Sequence, residues 1–405
     1  NLDWGYSKHP PLSAFTVEIF HSIFGSHDWA YYALSQIYII IAFIFVWKFS
    51  LEIFNDKLYS LISVFFLEGI YFYNFTTPEF NVNISQLPFC ALSIYFFWKG
   101  LKKDKLFDWF LFGIFSALGF LSKYLFAYLI ITLFAYLFFD YLKNNKFYHK
   151  YLFSLIISLI IISPHLKWLI ENDFITILYG FNRTGLIDVS FSEITKQFYD
   201  NNSNLINNLE SLDVKLKNHF INPIIFIMKQ IIILLPFFIL CFFLVKKLKT
   251  KINLKDKKTF FLLWINLMPL LLIFLTAIIT GAKIRTMWMT PFYLFFGVLI
   301  IYIFKENIKL NKIKNFFIVF CFIFLFSPII YFLNSTFKKD QRIDYPAKYI
   351  SSEVQKRWDN NFKNKINIVV GQAWWAGNLS YQLESRPMYI RGYLNFVDKK
   401  FKKED

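Results

Sequence analysis

Charged residues make up only 18% of the 405 residues, well below the ~25% of an ordinary soluble domain. Cysteine is scarcer still. Cys90, Cys241 and Cys321 each sit inside an apolar run with no CxxC spacing, which excludes a disulfide framework and a thiolate metal site. There is no GxGxxG and no P-loop, so a nucleotide site is unsupported, and no HxH or HxxxH pair among six histidines, so no zinc site is expected. What fills the chain instead is apolar: 56% hydrophobic residues and a mean hydropathy of +0.43. These residues fall in repeated runs of about 20, the length that spans a ~30 Å hydrocarbon layer. The sequence therefore predicts a polytopic membrane protein, mainly α.

Ten spans are expected, at about 30 to 47, 58 to 75, 84 to 98, 106 to 121, 124 to 142, 151 to 168, 220 to 245, 259 to 280, 287 to 304 and 314 to 334. Pro236 and Pro269 interrupt two of them. Leu12 to Phe24 is too short to span and carries Phe15, Ile19, Phe20 and Ile23 at helical spacing, the pattern of an interfacial helix. The net charge of +17 would suggest nucleic acid in a soluble protein, but here the basic residues lie in short gaps between apolar runs. Alternate gaps carry twenty Lys and Arg against eight, so the richer set should face the cytoplasm. The N-terminal segment, the Pro78 loop, the loop from about 169 to 219, the Lys283 loop and the tail then share the outer side.

Residues 1–335 are expected to form the membrane module and residues 336–405 a small extracytoplasmic α/β domain. In the latter, Ile350, Val354 and Trp358 after Pro346 suggest a helix, Ile366 to Val370 a strand, and Met388 to Ile390 another. The chain starts at Asn1, without Met or a signal peptide, and a first span ahead of it is expected.

The outer loops hold the candidate chemistry. NLDWGYSKHPPL places Asp3, Lys8 and His9 beside a rigid Pro-Pro, which suits ligand capture as well as a solvated turn. Glu79 in FTTPEFNVN lies at the expected membrane surface, where partial desolvation would raise its pKa toward general-base work; the plain alternative is an exposed loop carboxylate. Lys123, His165, Arg183, Lys283 and Arg285 all fall at outer span ends. Singly each reads as an anchor; together they could meet a phosphate at headgroup level.

The segments LDWGYSKHPPL, TTPEFNVN, LGFLSKY, ISPHLKWLIENDF with GFNRTG, and KIRTMWMTPFYLFFG resemble the bacterial GT-C glycosyltransferases that transfer aminoarabinose or galacturonic acid to lipid A and core. These are related to the protein mannosyltransferases, glycosyltransferase families 39 and 83. The resemblance covers roughly residues 1 to 300 and implies a GT-C-type helical bundle in the bacterial inner membrane. It also implies transfer, with inversion, from a polyprenyl-phosphate-linked sugar to a periplasmic lipid or glycan acceptor. Nucleic acid is not a partner. The family's acidic pair normally precedes the GYxxHPPL segment, so the main base is expected upstream of Asn1. Asp3 matches the Asp of LDWGY rather than that pair. Glu79 matches the acid after Thr-Pro, usually Asp, and His9 a position suited to the lipid phosphate. A divalent metal, the sugar, the acceptor and the oligomeric state stay open. A lipid or glycan flippase is the alternative, and a noncatalytic scaffold a third, but few polar groups lie within the spans; Gln86, Lys229 and Gln230 are among them.

Overall fold

A computed structural model describes residues 2–186, 216–246, 252–308, 310–338 and 344–391. The rest of the loop expected from about 169 to 219, part of the Lys246 to Lys258 gap and the tail beyond residue 391 lie outside the described residues, and so do the expectations that fall on them. The chain divides into two compact units, one of residues 2–20 and 31–328 and one of residues 21–30 with 329 onward.

The first unit is a helical bundle. Its elements are α1 (Leu12–Phe24), α2 (Asp28–Phe54), α3 (Lys57–Phe65), α4 (Val82–Ser85), α5 (Leu87–Lys103), α6 (Leu106–Ser122), α7 (Ala127–Asn144), α8 (Tyr151–Glu171), α9 (Ile175–Thr184), α10 (Asn222–Ile233), α11 (Leu235–Leu244), α12 (Lys257–Thr280), α13 (Phe296–Phe304) and α14 (Leu310–Phe337); α1, α2 and α14 extend into the second unit. Among the described residues five helical segments are long and apolar enough to cross a membrane, and two bent pairs bring the number to seven. Large apolar side chains on these helices face outward, including Phe242, Ile279 and Phe337. That surface suits hydrocarbon and would be an aggregation liability in water.

Each of the ten expected spans holds helix, but several are not single α-helices. The second breaks after Phe65 into short 3-10 turns at Phe66–Gly69 and Tyr71–Tyr73. Pro236 stands in the first turn of α11, just past a 49° bend after Ile233, whereas Pro269 stays inside a continuous α12. In α11 the missing N–H falls where a helix start has no partner to lose. The segment 286–304 bends by 54° between the 3-10 run Thr286–Tyr293 and α13.

Local chemistry fixes the starts of several helices. Asp56 accepts from the backbone N–H of Leu58 and Tyr59 to cap α3, and Asn81 does the same for Asn83 and Ile84 at α4. Asp256 caps α12 through Thr259 and also receives the Tyr302 hydroxyl at 2.9 Å. Gly297 lets α13 approach α3, since a Cβ there would lie 2.1 Å from the Ser63 carbonyl oxygen. Among the described residues, α6 packs on α5 and α8, and α12 on α7, around a core rich in Phe, Trp and Tyr such as Phe49, Phe97, Trp109, Tyr136 and Phe261.

The second unit contains α15 (Ala347–Asn361), β1 (Ile368–Gly371), α16 (Ala373–Gln382) and β2 (Met388–Arg391). The two strands pair in parallel with Val370 opposite Ile390, and α16 is the crossover between them. Ile366, Ala376, Leu383 and Ile390 are its buried apolar residues, and the Ser385 hydroxyl ties the β2 approach to the Ile366 carbonyl at 2.7 Å.

Candidate functional site

One end of the bundle gathers the N-terminal loop, the Thr-Pro loop, the α6–α7 junction, α9 and the segment before Thr286. The N-terminal loop lies across α8 and α9. Gly5 sits against the Trp168 ring, where a Cβ would come within 2.3 Å, and the Thr176 hydroxyl donates to the Tyr6 carbonyl at 2.9 Å. His165 is fully buried, with Nδ1 2.5 Å from the Trp4 carbonyl and Nε2 2.7 Å from the Tyr124 hydroxyl. The carbonyl can only accept, so Nδ1 carries a proton and Nε2 is left to accept from Tyr124. Both ring nitrogens are thereby used. The expectation that His165 meets a phosphate is corrected: it clamps the loop that carries His9.

Lys123 is buried at the junction between α6 and the 3-10 turn Tyr124–Phe126. Its ammonium donates to the Asn83 side-chain oxygen at 2.5 Å and lies 5.8 Å from the Trp288 ring centre. Burial pulls its pKa down from the lysine value of 10.5 to about 7. A neutral amide and a ring face stabilise an ammonium far less than a carboxylate does.

His9 is the neighbour of Lys123. Its ring meets those of Tyr6 and Tyr179 edge-on, at 6.0 and 6.4 Å between centres. Burial first, then the charges of Lys123 and Lys8, lower its pKa from 6.5 to about 4. At neutral pH His9 is thus an uncharged hydrogen-bonding group, and Lys8 contributes its charge to the same corner.

The remaining cations come from α9 and the segment after α12. Lys283 is tied to the end of α9 by a 2.8 Å bond from its N–H to the Thr184 carbonyl, and its side chain runs alongside Gly185. Arg285 has its pKa lowered by burial and then by the charge of Arg183, with the Tyr179 hydroxyl acting in the opposite sense. Arg183, Lys283 and Arg285 therefore stand together. None of Lys123, Arg183, Lys283 or Arg285 has a carboxylate within ion-pair distance among the described residues.

The two expected acids stand differently. Asp3 is exposed and accepts from the Trp4 backbone N–H at 2.8 Å. Glu79 is also exposed, and the segment that follows it delivers Asn83 to Lys123. Sequence reading missed Asn83, Tyr179 and Trp288. An Asn in the first turn of a short helix and a lone ring carry no local signal, and only their neighbours give them a role. Among the described residues no three His, Cys, Asp or Glu side chains form a metal-ligand group.

Comparison with known proteins adds one finding to this geometry. Residues 8–168 match the family described as dolichyl-phosphate-mannose-protein mannosyltransferase. The match takes in His9, Glu79, Lys123 and His165 and ends before Arg183, Lys283 and Arg285. No curated protein matches the chain significantly. The matched segment, with the apolar helices around it, supports a multi-pass membrane glycosyltransferase of GT-C type as the level of similarity for this chain.

Proposed function

We propose that this chain is an integral membrane glycosyltransferase that moves a sugar from a polyprenyl phosphate to a lipid or glycan acceptor on the periplasmic face of a bacterial inner membrane. The observation that carries the reading is the gathering of Lys123, Arg183, Lys283 and Arg285 at one end of an apolar bundle, none with a carboxylate partner among the described residues. Lys123 is buried and the other three are exposed, and unneutralised cations around a buried one stabilise charge that arrives with a ligand or develops as it reacts. The family similarity of residues 8–168 supplies the reaction class.

In such a transfer the acceptor hydroxyl oxygen bonds to the anomeric carbon as the bond from that carbon to the phosphate oxygen breaks. The pair of electrons leaves with the phosphate, and the hydroxyl proton passes to a carboxylate base. One displacement inverts the anomeric centre. In this chain Lys123 and the two arginines hold the departing phosphate, Lys as a point charge and Arg through two N–H groups. His9 adds a neutral hydrogen bond. Glu79 is the carboxylate of the loop that supplies Asn83 and is the group to examine as a base. Lipid A or core sugar is the acceptor class that the sequence resemblance favours.

The test is donor binding. Replacing Arg183 or Arg285 by Ala should weaken the affinity for a lipid-linked sugar by about 2 to 3 kcal/mol, the scale of a charged hydrogen bond. Unchanged affinity in both variants would remove the assignment.

A further inference from the structure

The segment from Ala282 to Thr286 has a second side. Behind it lies a cavity of about 420 Å³, lined by Asn222, Phe226 and Lys229 of α10 and by Ala282, Lys283 and Arg285 of the segment, among others. Asn222, Phe226 and Lys229 are spaced by four and three residues and so share one stripe of the helix. The volume falls within the ~300 to 1,000 Å³ usual for small-molecule sites.

Lys229 is the unexpected member. It lies inside a helix of a bent membrane-spanning pair, well away from either end of that pair. A lysine there costs free energy and is ordinarily an anchor whose ammonium reaches the headgroups. This one, exposed like Lys283 and Arg285, lines a cavity with those two cations, and no Asp or Glu is among the lining residues. Three like charges around one apolar-walled space repel one another, and an anion between them relieves that repulsion.

The walls are held by specific contacts. Gln230, next to Lys229, donates to the Thr286 carbonyl at 3.3 Å and accepts the Tyr293 hydroxyl at 2.8 Å. His219 places Nδ1 2.6 Å from the Ile278 carbonyl, and its ring occupies the space that a Cβ at Gly281 would need. Gly281 has φ +70°, which costs a glycine little. The segment is thus pinned to α10 on one side and to α9 on the other, with Arg285 common to both faces.

We propose that Lys229, with Lys283 and Arg285, binds the phosphomonoester of a membrane lipid, the spent carrier left after sugar transfer. This rests on the glycosyl-transfer reading above. When the bond from the anomeric carbon to the phosphate oxygen breaks, a diester with one negative charge becomes a monoester with up to two, and the carrier stays anchored by its apolar chain. A third cation on the lipid-facing helix favours the more highly charged species and draws it away from the sugar end of the site. Lys229 contributes to holding product, so its loss is expected to spare the donor.

The experiment measures binding of three probes to the full chain in nanodiscs: a short-chain polyprenyl monophosphate, its methyl diester and inorganic phosphate. The expected result is that Lys229→Met weakens monophosphate binding by about tenfold or more and diester binding by less than about threefold, while Lys229→Arg restores the wild-type ratio. Inorganic phosphate at equal concentration should not compete. Wild-type monophosphate binding by Lys229→Met, or equal loss for monoester and diester, overturns the proposal. So does competition by inorganic phosphate at parity, which identifies a free-phosphate site. If Arg183→Ala and Arg285→Ala weaken diester binding while Lys229→Met changes nothing, the role of Lys229 fails and the glycosyl-transfer reading stands. If no variant differs from wild type on any lipid probe, both fail.

Discussion

The two ends of the helical bundle are both rich in lysine and arginine, yet they treat their charges in opposite ways. At the end carrying Lys99 to Lys105 and Lys143 to Lys150, cations meet carboxylates on neighbouring helices. Lys99 pairs with Asp108 at 3.2 Å, Lys102 with Glu52 at 2.7 Å, Lys150 with Asp104 at 3.1 Å and Lys257 approaches Asp140 at 3.9 Å. These pairs join α5 to α6, α5 to α2 and α12 to α7. At the other end, Lys123 is matched only by an amide and a ring face, and Arg285 has Arg183 for a neighbour. Paired charge is structure. Arg183 and Arg285 are exposed, but unpaired charge at a buried position such as Lys123 is costly, and that cost makes sense where a ligand of opposite sign completes the site.

The largest effect that would sharpen this contrast is at Lys99. Asp108 is 2% exposed, and one of its oxygens has no hydrogen-bond partner among the described residues, so Lys99→Met strands a buried carboxylate. Loss of about 3 to 5 kcal/mol of stability is expected, measured by thermal or denaturant unfolding in detergent. A smaller loss than at Lys102 would show that this end is not held by charge.

Lys123 gives the next effect, read in pH. Its folded pKa of about 7 lies below the ordinary 10.5, so between those values the unfolded chain holds a proton that the folded chain lacks. Stability therefore rises with pH across that interval, while binding of an anion that needs the ammonium falls across it. Lys123→Arg should abolish the fall, because guanidinium stays charged. His9, at about 4 against 6.5, changes its charge only on the acid side and leaves the region above pH 7 unaffected. An unchanged profile in Lys123→Arg would place the titrating group elsewhere.

The smallest effect is at Lys102. Its side chain is 51% exposed and that of Glu52 24%, so Lys102→Ala should cost no more than about 1 kcal/mol despite the short contact. A larger loss would mean that the surface pairs at this end act as one network.

The helical class and seven of the ten expected spans were legible in the sequence, because a long run of apolar residues declares its solvent wherever it folds; the spans expected at 58 to 75, 84 to 98 and 106 to 121 fall among the described residues on helices too short to meet the same length. Cap residues such as Asp56 and Asn81 are local in the same way. The breaks at Phe65 and Ile233 were less so. The first has no proline at all, and the turns that follow it pack Gly69 against Phe237 of α11, a contact more than 160 residues away in the chain.

For the site, sequence supplied the inventory and tertiary structure assigned the roles. Lys123, Arg183, Lys283 and Arg285 were readable as a group because three alternate gaps between apolar runs repeat the same charge. His165 belonged to that inventory by position and leaves it by contact, since the Trp4 carbonyl and the Tyr124 hydroxyl use both its nitrogens. Glu79 leaves the desolvated class because the loop turns it outward, while Asn83, four residues on, turns in to Lys123. Lys229 was legible only as a polar residue in the wrong solvent, and its cavity exists because α10 and the Lys283 segment meet. Hydropathy and charge sum along a chain and survive without a fold. Burial, hydrogen-bond partners and the sharing of one space by distant cations depend on distances between helices, and those only the packed bundle sets.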